Sequence, residues 1–136
     1  MEKNAEYQLS TAVHEGILEI VITGKMTAQT GEKMHADVVA LTRRLNVKAL
    51  LADVRATTGR LGHIEAFLHV RRFRFDEPGV ITAVVDLPEN VASESFLETA
   101  AVNVGRSWKW FTDCDNARTW LKSRQKEGGG SAGDRV

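Results

Sequence analysis

Two short apolar runs constrain the fold of this chain more than any other feature of its sequence. They read KALLADV (48–54) and VITAVVDL (80–87), and most positions in each are hydrophobic. A strand with one face in water alternates apolar and polar residues, whereas a strand covered on both faces is apolar almost throughout. Both runs therefore predict strands of a sheet that is covered on each side.

The flanking segments supply the rest of the sheet and its helices. YQLSTAV (7–13) and ILEIVITG (17–24) are predicted to form a β-hairpin that turns near His14–Gly16, and WKWFT (108–112) is predicted to be a short aromatic strand. Apolar residues at helical spacing predict four helices. These span 27–45, 62–75, 93–106 and 113–126. The order β-β-α-β-α-β-α-β-α predicts an α/β fold with a mostly parallel sheet, an N-terminal β-hairpin and helices packed on its faces.

The composition bounds the class of protein. The 136 residues are enough for one domain, which we place at 5–125, ahead of a flexible Gly/Ser-rich tail at 126–136. The 18 basic and 18 acidic residues cancel, so no net field favours a nucleic-acid partner. A single cysteine, the lack of a signal peptide and the lack of a bilayer-spanning apolar stretch together predict a cytoplasmic protein.

Four stretches of the sequence carry a family resemblance. They are the hairpin LSTAVHEGILEIVITGKMTAQ, the strands LLADVRAT and ITAVVDLP, and the ending WKWFTDCDNARTWL. Over about residues 5–122 the chain resembles the SpoIIAA-like branch of the STAS domain superfamily, which implies the α/β fold described above. That branch has no established enzymatic activity. Its comparison with lipid-binding SEC14-like domains implies an apolar ligand cavity or contact with a membrane surface.

The resemblance also implies a regulatory mechanism. In STAS domains such as anti-anti-sigma factors, a partner kinase phosphorylates a serine at the start of the helix that follows the central strand, within the motif Asp-Ser-Ser-Gly. The matching stretch here is Ala56-Thr57-Thr58-Gly59, which lacks the preceding acid. Thr57 and Thr58 are therefore the candidate phosphoacceptors, and the partner would be a regulatory protein.

The stretch 53–59 is also a candidate ligand site. Ligands of open α/β sheets bind beyond the carboxyl ends of the parallel strands, where a following helix offers free N–H groups to an anion. The arginine and the hydroxyls of this stretch suit a phosphate or a carboxylate. The competing interpretation is that the acid and the threonines only satisfy backbone groups as caps and turns. The candidate residues are Asp53, Arg55, Thr57, Thr58 and Gly59.

The helix predicted over 62–75 supplies a second candidate surface. Phe67 and Arg71 share one side of it and would close a groove over the sheet around an apolar or anionic, lipid-like ligand. The basic and aromatic residues at its end are typical of a helix in a membrane interface, with arginines near lipid phosphates. The alternative is a solvated outer face paired with nearby acids. Those end residues are Arg71, Arg72, Phe73, Arg74 and Phe75.

No sequence pattern indicates catalysis, a metal or a cofactor. The four histidines are dispersed along the chain, and zinc needs three or four clustered ligands. No nucleophile, base and orienting group can be assigned together, so an enzyme is not expected. Trp108 and Trp110 share a face of their strand and belong to the core, line an apolar cavity or form a homodimer patch.

Together these features predict a non-enzymatic STAS-like domain that binds a small apolar or anionic ligand or a protein partner. Peripheral contact with a membrane through residues 71–75 is part of this prediction. The alternative is a regulatory partner-switch domain that is phosphorylated at Thr57 or Thr58.

Overall fold

Five strands form one mixed sheet in the computed structural model, which describes residues 7–59 and 79–134. The strand order is β1-β2-β3-β4-β5; β1 runs antiparallel to β2, and each later pair is parallel. The bounds are β1 Tyr7–His14, β2 Ile17–Lys25, β3 Ala49–Thr58, β4 Ile81–Val85 and β5 Ser107–Phe111. This arrangement confirms the predicted α/β class, the mostly parallel sheet and the N-terminal hairpin.

The hairpin turns over two residues. Glu15 and Gly16 have φ angles of 54° and 80°, as in a type I′ loop, whose twist matches that of the flanking strands. From this loop back to Tyr7 the register of the hairpin has no bulge. The predicted turn near His14–Gly16 is thus confirmed, and β1 is a regular edge strand.

Among the described residues, three α-helices and one short 3-10 helix connect or follow the strands. Their bounds are α1 Ala28–Leu45, the 3-10 helix Pro88–Asn90, α2 Val91–Asn103 and α3 Cys114–Asp134. Thr27 caps α1, because its hydroxyl accepts the N–H of Thr30, whose side chain bonds back to the Thr27 N–H. The helix predicted over 62–75 lies outside the described residues. No described helix is both long and apolar enough to cross a membrane.

Both faces of the central strands are covered, as the apolar runs predicted. Helix α3 packs on one face and α1 on the other, and successive residues of β3 alternate between the two hydrophobic clusters. Each large aliphatic side chain buried this way contributes about 1.5–3 kcal/mol. The α3 cluster consists of Ile17, Ala49, Leu51, Ala83, Val85, Ala117 and Leu121. The α1 cluster consists of Leu18, Ile20, Ile22, Val38, Val47, Leu50 and Ala52.

β3 is longer than the strand predicted over 48–54, because β2 continues beside it. The step from Val21 to Thr23 on β2 corresponds to the longer step from Asp53 to Ala56 on β3, which places a β-bulge in β3. Beyond the bulge, β3 stays paired with β2 as far as Thr58. The stretch that was predicted to leave the sheet as a loop is therefore strand.

α3 also extends further than predicted. The helix reaches Asp134, so residues 127–134 are helical, although their Gly-rich composition predicted a flexible tail. Extending an existing helix costs much less than starting one. A helix that is already anchored by Ala117 and Leu121 can therefore continue into a segment that would not start a helix itself. The domain end at 125 stays a prediction.

Gly59, directly after β3, lies against Met26 in the segment that precedes α1. Its φ is +67°, and a Cβ atom placed on it would lie 2.8 Å from the carbonyl oxygen of Met26. The Met26 N–H donates to the Thr58 carbonyl at 2.7 Å, which holds the two segments together. The backbone conformation and the limited space both require glycine at this position.

We expect Gly59→Ala to lower the free energy of unfolding by at least about 1–2 kcal/mol, the cost of a left-handed conformation for a residue with a Cβ. The control is Gly31→Ala in α1, where an added Cβ meets no atom within 4 Å. This control should gain about 0.5–1 kcal/mol, since alanine favours a helix. Urea denaturation measures both values, and equal stability of the two variants would contradict this role of Gly59.

Candidate functional site

β4 and β5 end beside β3 and close to the start of α3, while β3 continues beyond them to Thr58. Asp53 of β3 is level with Val85 at the end of β4, and Val85 is level with Phe111 of β5. Helix α3 begins shortly afterwards, at Cys114. We call this end of the sheet the carboxyl rim. It is defined by Asp53, Arg55, Thr57, Thr58, Gly59, Asp86, Asp113 and Cys114.

An ion pair between Asp53 and Arg55 is the central feature of the carboxyl rim. Arg55 Nε and Nη2 donate to Asp53 Oδ1 and Oδ2 at 2.9 and 2.8 Å, and the Arg55 main-chain N–H donates to Oδ1 at 3.2 Å. Only 12% of the Asp53 side chain is exposed, against 43% of the Arg55 side chain. The carboxylate is therefore buried and held in place, while part of the guanidinium faces solvent.

Burial and pairing act on the pKa of Asp53 in opposite directions. Burial raises this pKa because the carboxylate loses hydration, while the hydrogen bonds and the charge of Arg55 lower it. The net pKa of Asp53 is lowered, and the hydrogen bond and the charge of Asp53 in turn raise the pKa of Arg55. The pair is thus fully ionised at neutral pH.

Cys114 lies against this pair at the start of α3. Its Sγ accepts a hydrogen bond from Arg55 Nη2 at 3.6 Å and donates to Asp53 Oδ2 at 3.9 Å. Burial raises the pKa of the Cys114 thiol, and the charge of Asp53 raises it further. Because the thiolate is the nucleophilic form, Cys114 acts here as a neutral packing group.

The two threonines of the carboxyl rim occupy different environments. Thr57 is only 7% exposed, and its hydroxyl donates to the Val54 carbonyl at 2.7 Å, inside the bulge. The Thr58 side chain is exposed, and its main-chain carbonyl accepts the Met26 N–H. Thr57 therefore has the backbone-satisfying role that the sequence offered as one interpretation, whereas Thr58 presents a hydroxyl to solvent.

Two further acids of the carboxyl rim accept hydrogen bonds from main-chain N–H groups. Asp86 is fully buried after β4, and its Oδ1 accepts the Leu87 N–H at 2.7 Å and the Asn90 side-chain amide at 2.9 Å. Sequence reasoning missed Asp86, although an acid at the end of an apolar run was a signal. Asp113 caps α3, as predicted, by accepting the N–H groups of the two residues at 115 and 116.

The remaining candidate residues do not join the carboxyl rim in the described structure. Phe67 and Arg71, proposed to contact a ligand, and the membrane-contact set at 71–75 lie outside the described residues. A pocket in the described part of the chain lies near the opposite ends of the strands, where Trp108 and Leu50 contribute to its wall. Its cavity of about 20 Å³ has room for about one water molecule.

The acids and histidines of residues 7–59 and 79–134 do not form a metal centre. No three His, Cys, Asp or Glu side chains in these ranges lie close enough together to hold a metal ion. The ionised groups of the carboxyl rim instead bind one another and the backbone. Among the described residues, this end of the sheet therefore offers another molecule the exposed part of Arg55 and the exposed Thr58.

Comparison with known proteins identifies the fold. No protein family matches the chain, and no curated protein matches it in sequence. An anti-sigma factor antagonist from Mycobacterium paratuberculosis is similar in structure, with a TM-score of 0.57 and 13% identity over 90% of this chain and 99% of that one. An uncharacterized protein with a SpoIIAA-like fold from Shewanella loihica has a TM-score of 0.55 and 17% identity, over 89% and 98% of the two chains. The chain has the SpoIIAA-like fold of STAS domains, as the sequence resemblance implied.

We expect Arg55→Ala to destabilise the protein most at neutral pH. In the natural protein the lowered pKa of Asp53 contributes stability that is lost as the pH falls through the folded-state pKa. Without Arg55, burial raises this pKa, so protonation relieves the buried charge. The difference in unfolding free energy between the two proteins should shrink from neutral pH to about pH 3 in urea denaturation.

An Asp53→Asn background provides the control for this experiment. There the Arg55→Ala change should have an effect that does not vary with pH, because the titrating carboxyl is gone. If the pH dependence persisted in that background, it would belong to another group.

Proposed function

We propose that this chain is a non-enzymatic regulatory domain that binds a protein partner through the carboxyl rim. The observation that carries the proposal is the arginine fixed in the β-bulge of β3, beyond the last residue of β4. Asp53 holds Arg55 through two side-chain hydrogen bonds, so the exposed remainder of the guanidinium points in one direction before any partner arrives. A side chain ordered in advance loses little entropy on binding.

The state of the polar groups favours binding over catalysis. The Asp53 carboxylate is paired with Arg55, and the Cys114 thiol is neutral. The Thr57 hydroxyl donates its hydrogen bond to a main-chain carbonyl. A catalytic site needs a nucleophile and a base that are free to react with a substrate. The described part of the carboxyl rim offers hydrogen-bond donors instead, and these suit a carboxylate or a main-chain carbonyl of a partner.

A protein partner is favoured by one of the structural neighbours. That neighbour is an anti-sigma factor antagonist, a protein that acts on another protein. The pocket beside Leu50 and Trp108 has room for about one water molecule, so this pocket does not hold a small ligand. The apolar or anionic, lipid-like ligand, the membrane contact and the cytoplasmic location stay predictions. The membrane contact depends on residues 71–75, and the ligand site combines residues 53–59 with Phe67 and Arg71.

Neutralising the ion pair tests the proposal. We expect the double variant Asp53→Asn/Arg55→Gln to weaken partner binding at least about tenfold, since arginine is frequent among the residues that dominate interfaces. The matched control is Glu15→Gln/Lys122→Gln, which removes an exposed ion pair at the opposite end of the sheet from the carboxyl rim. The partner is identified as a protein from the source cells that the natural chain and the control variant both retain.

Calorimetry with the purified partner then gives the dissociation constants. Near-UV circular dichroism establishes that both double variants are folded. Equal dissociation constants for the two double variants, or no binding by the natural chain, would refute the carboxyl rim as the binding surface.

Phosphorylation at Thr58 is the second candidate function. The resemblance to STAS domains implied either threonine, and the environment of the two hydroxyls favours Thr58. Phosphate transfer to Thr57 would require β3 to open, because that hydroxyl is buried and bonded to the Val54 carbonyl. Lys25 is level with Thr58 on β2, so a phosphate there would gain a neighbouring cation.

Kinase assays on variants test this second candidate. We expect a partner kinase to transfer phosphate to the natural chain and to Thr57→Val but not to Thr58→Val, as mapped by mass spectrometry. Phosphate found on Thr57 of the folded protein, or no transfer by any candidate kinase, would count against the switch.

A further inference from the structure

The two edges of the sheet are protected differently. At the β5 edge, the main-chain N–H of Trp110 donates to Glu98 of α2 at 2.9 Å, so a side chain of the same molecule satisfies an edge donor. β5 is also short and carries the exposed Lys109. A short strand, a lysine and a covering helix are the devices by which proteins block pairing at a sheet edge.

The β1 edge has none of these devices among the described residues. β1 spans Tyr7–His14, contains no proline and no formally charged residue, and pairs with β2 without a bulge. No described strand pairs with its outer side. A long, flat and uncharged edge strand is a template for another strand.

The backbone groups available on this edge follow from the hairpin. The pair that flanks a two-residue loop is hydrogen-bonded, and bonded pairs alternate with non-bonded pairs along an antiparallel ladder. His14 pairs with Ile17 beside the loop, so the outward N–H and C=O groups belong to the residues one, three, five and seven positions before His14. These are Tyr7, Leu9, Thr11 and Val13.

We infer that the outer edge of β1 is a docking surface for the β1 strand of a second copy of this chain. In the antiparallel register centred on Thr11, Thr11 of one copy faces Thr11 of the other, and Leu9 faces Val13. All three residues then exchange their outward backbone groups with the second copy. The two five-stranded sheets become one sheet related by a two-fold axis, the commonest symmetry of homodimers.

The chemistry of the edge selects a second copy over a charged partner segment. β1 carries no charge, so a second β1 meets no like charge, and an acidic or basic segment gains no ion pair. Val13, which is 48% exposed, would be covered by Leu9 of the other copy. Because Leu9 already packs against the α1 cluster, this contact would extend a buried cluster across the interface.

One strand pair gives a small interface. A standard protein interface buries roughly 800 Å² on each partner, and a single edge strand supplies less than that. We therefore expect a dimer whose population rises with concentration, with a dissociation constant in the micromolar to millimolar range. This interface is separate from the tryptophan patch considered for the sequence and does not depend on the proposed function.

The experiment is sedimentation velocity over a concentration series of the full chain. The natural chain should shift from monomer to dimer as concentration rises. Thr11→Pro should raise the dissociation constant at least about tenfold, because proline removes an outward donor but no bond of the hairpin itself. Val13→Lys should do the same by placing two lysines at the interface. The control is Val102→Lys on α2, a valine that is 52% exposed.

Each outcome decides for or against the inference. Loss of the dimer in Val13→Lys with retention in Val102→Lys supports it, even if Thr11→Pro does not fold. A natural chain that stays monomeric up to its solubility limit overturns it. So does a dimer that both β1 variants leave unchanged, which would place the interface elsewhere.

Discussion

The burial of β3 on both faces sets the conditions for the carboxyl rim. Residues 49–52 lie between the α1 and α3 clusters, where a polar side chain without a partner would cost stability. Polar groups begin at Asp53, whose side chain is still mostly buried. Its charge is tolerated because Arg55 lies within hydrogen-bond reach on the same strand. The burial of β3 thus explains why the charges of the carboxyl rim are paired with each other.

The ion pair is better understood as an ordering device than as a source of stability. Taking two charges out of water costs about as much as their attraction returns, whereas removing one partner leaves the other buried and unpaired. A carboxylate that accepts three hydrogen bonds from Arg55 fixes both the side chain and the local backbone. The backbone of the adjacent bulge is held as well, because the Thr57 hydroxyl donates a hydrogen bond to the Val54 carbonyl.

The sequence predicted those features that depend on local pattern. The hairpin, the two buried strands and the Asp113 cap follow from alternation, apolar runs and capping preference, and each is present. The length of β3 was not predictable, because it depends on how far β2 continues beside it. The difference between Thr57 and Thr58 depends on the bulge, which is visible only once the strands are paired. The fold resemblance, which rested on four stretches within about residues 5–122, was confirmed by the structural neighbours.

The hydrogen bond from Trp110 to Glu98 also affects how the protein can aggregate when it partly unfolds. Fraying of α2 would break this bond and leave only the short length of β5 and Lys109 to protect the β5 edge. A molecule with one open edge can only form closed pairs, and pairing then stops. A molecule with two different open edges adds copies head to tail without limit. The docking of α2 is therefore one of the features that oppose pairing at β5 and, with it, open-ended assembly.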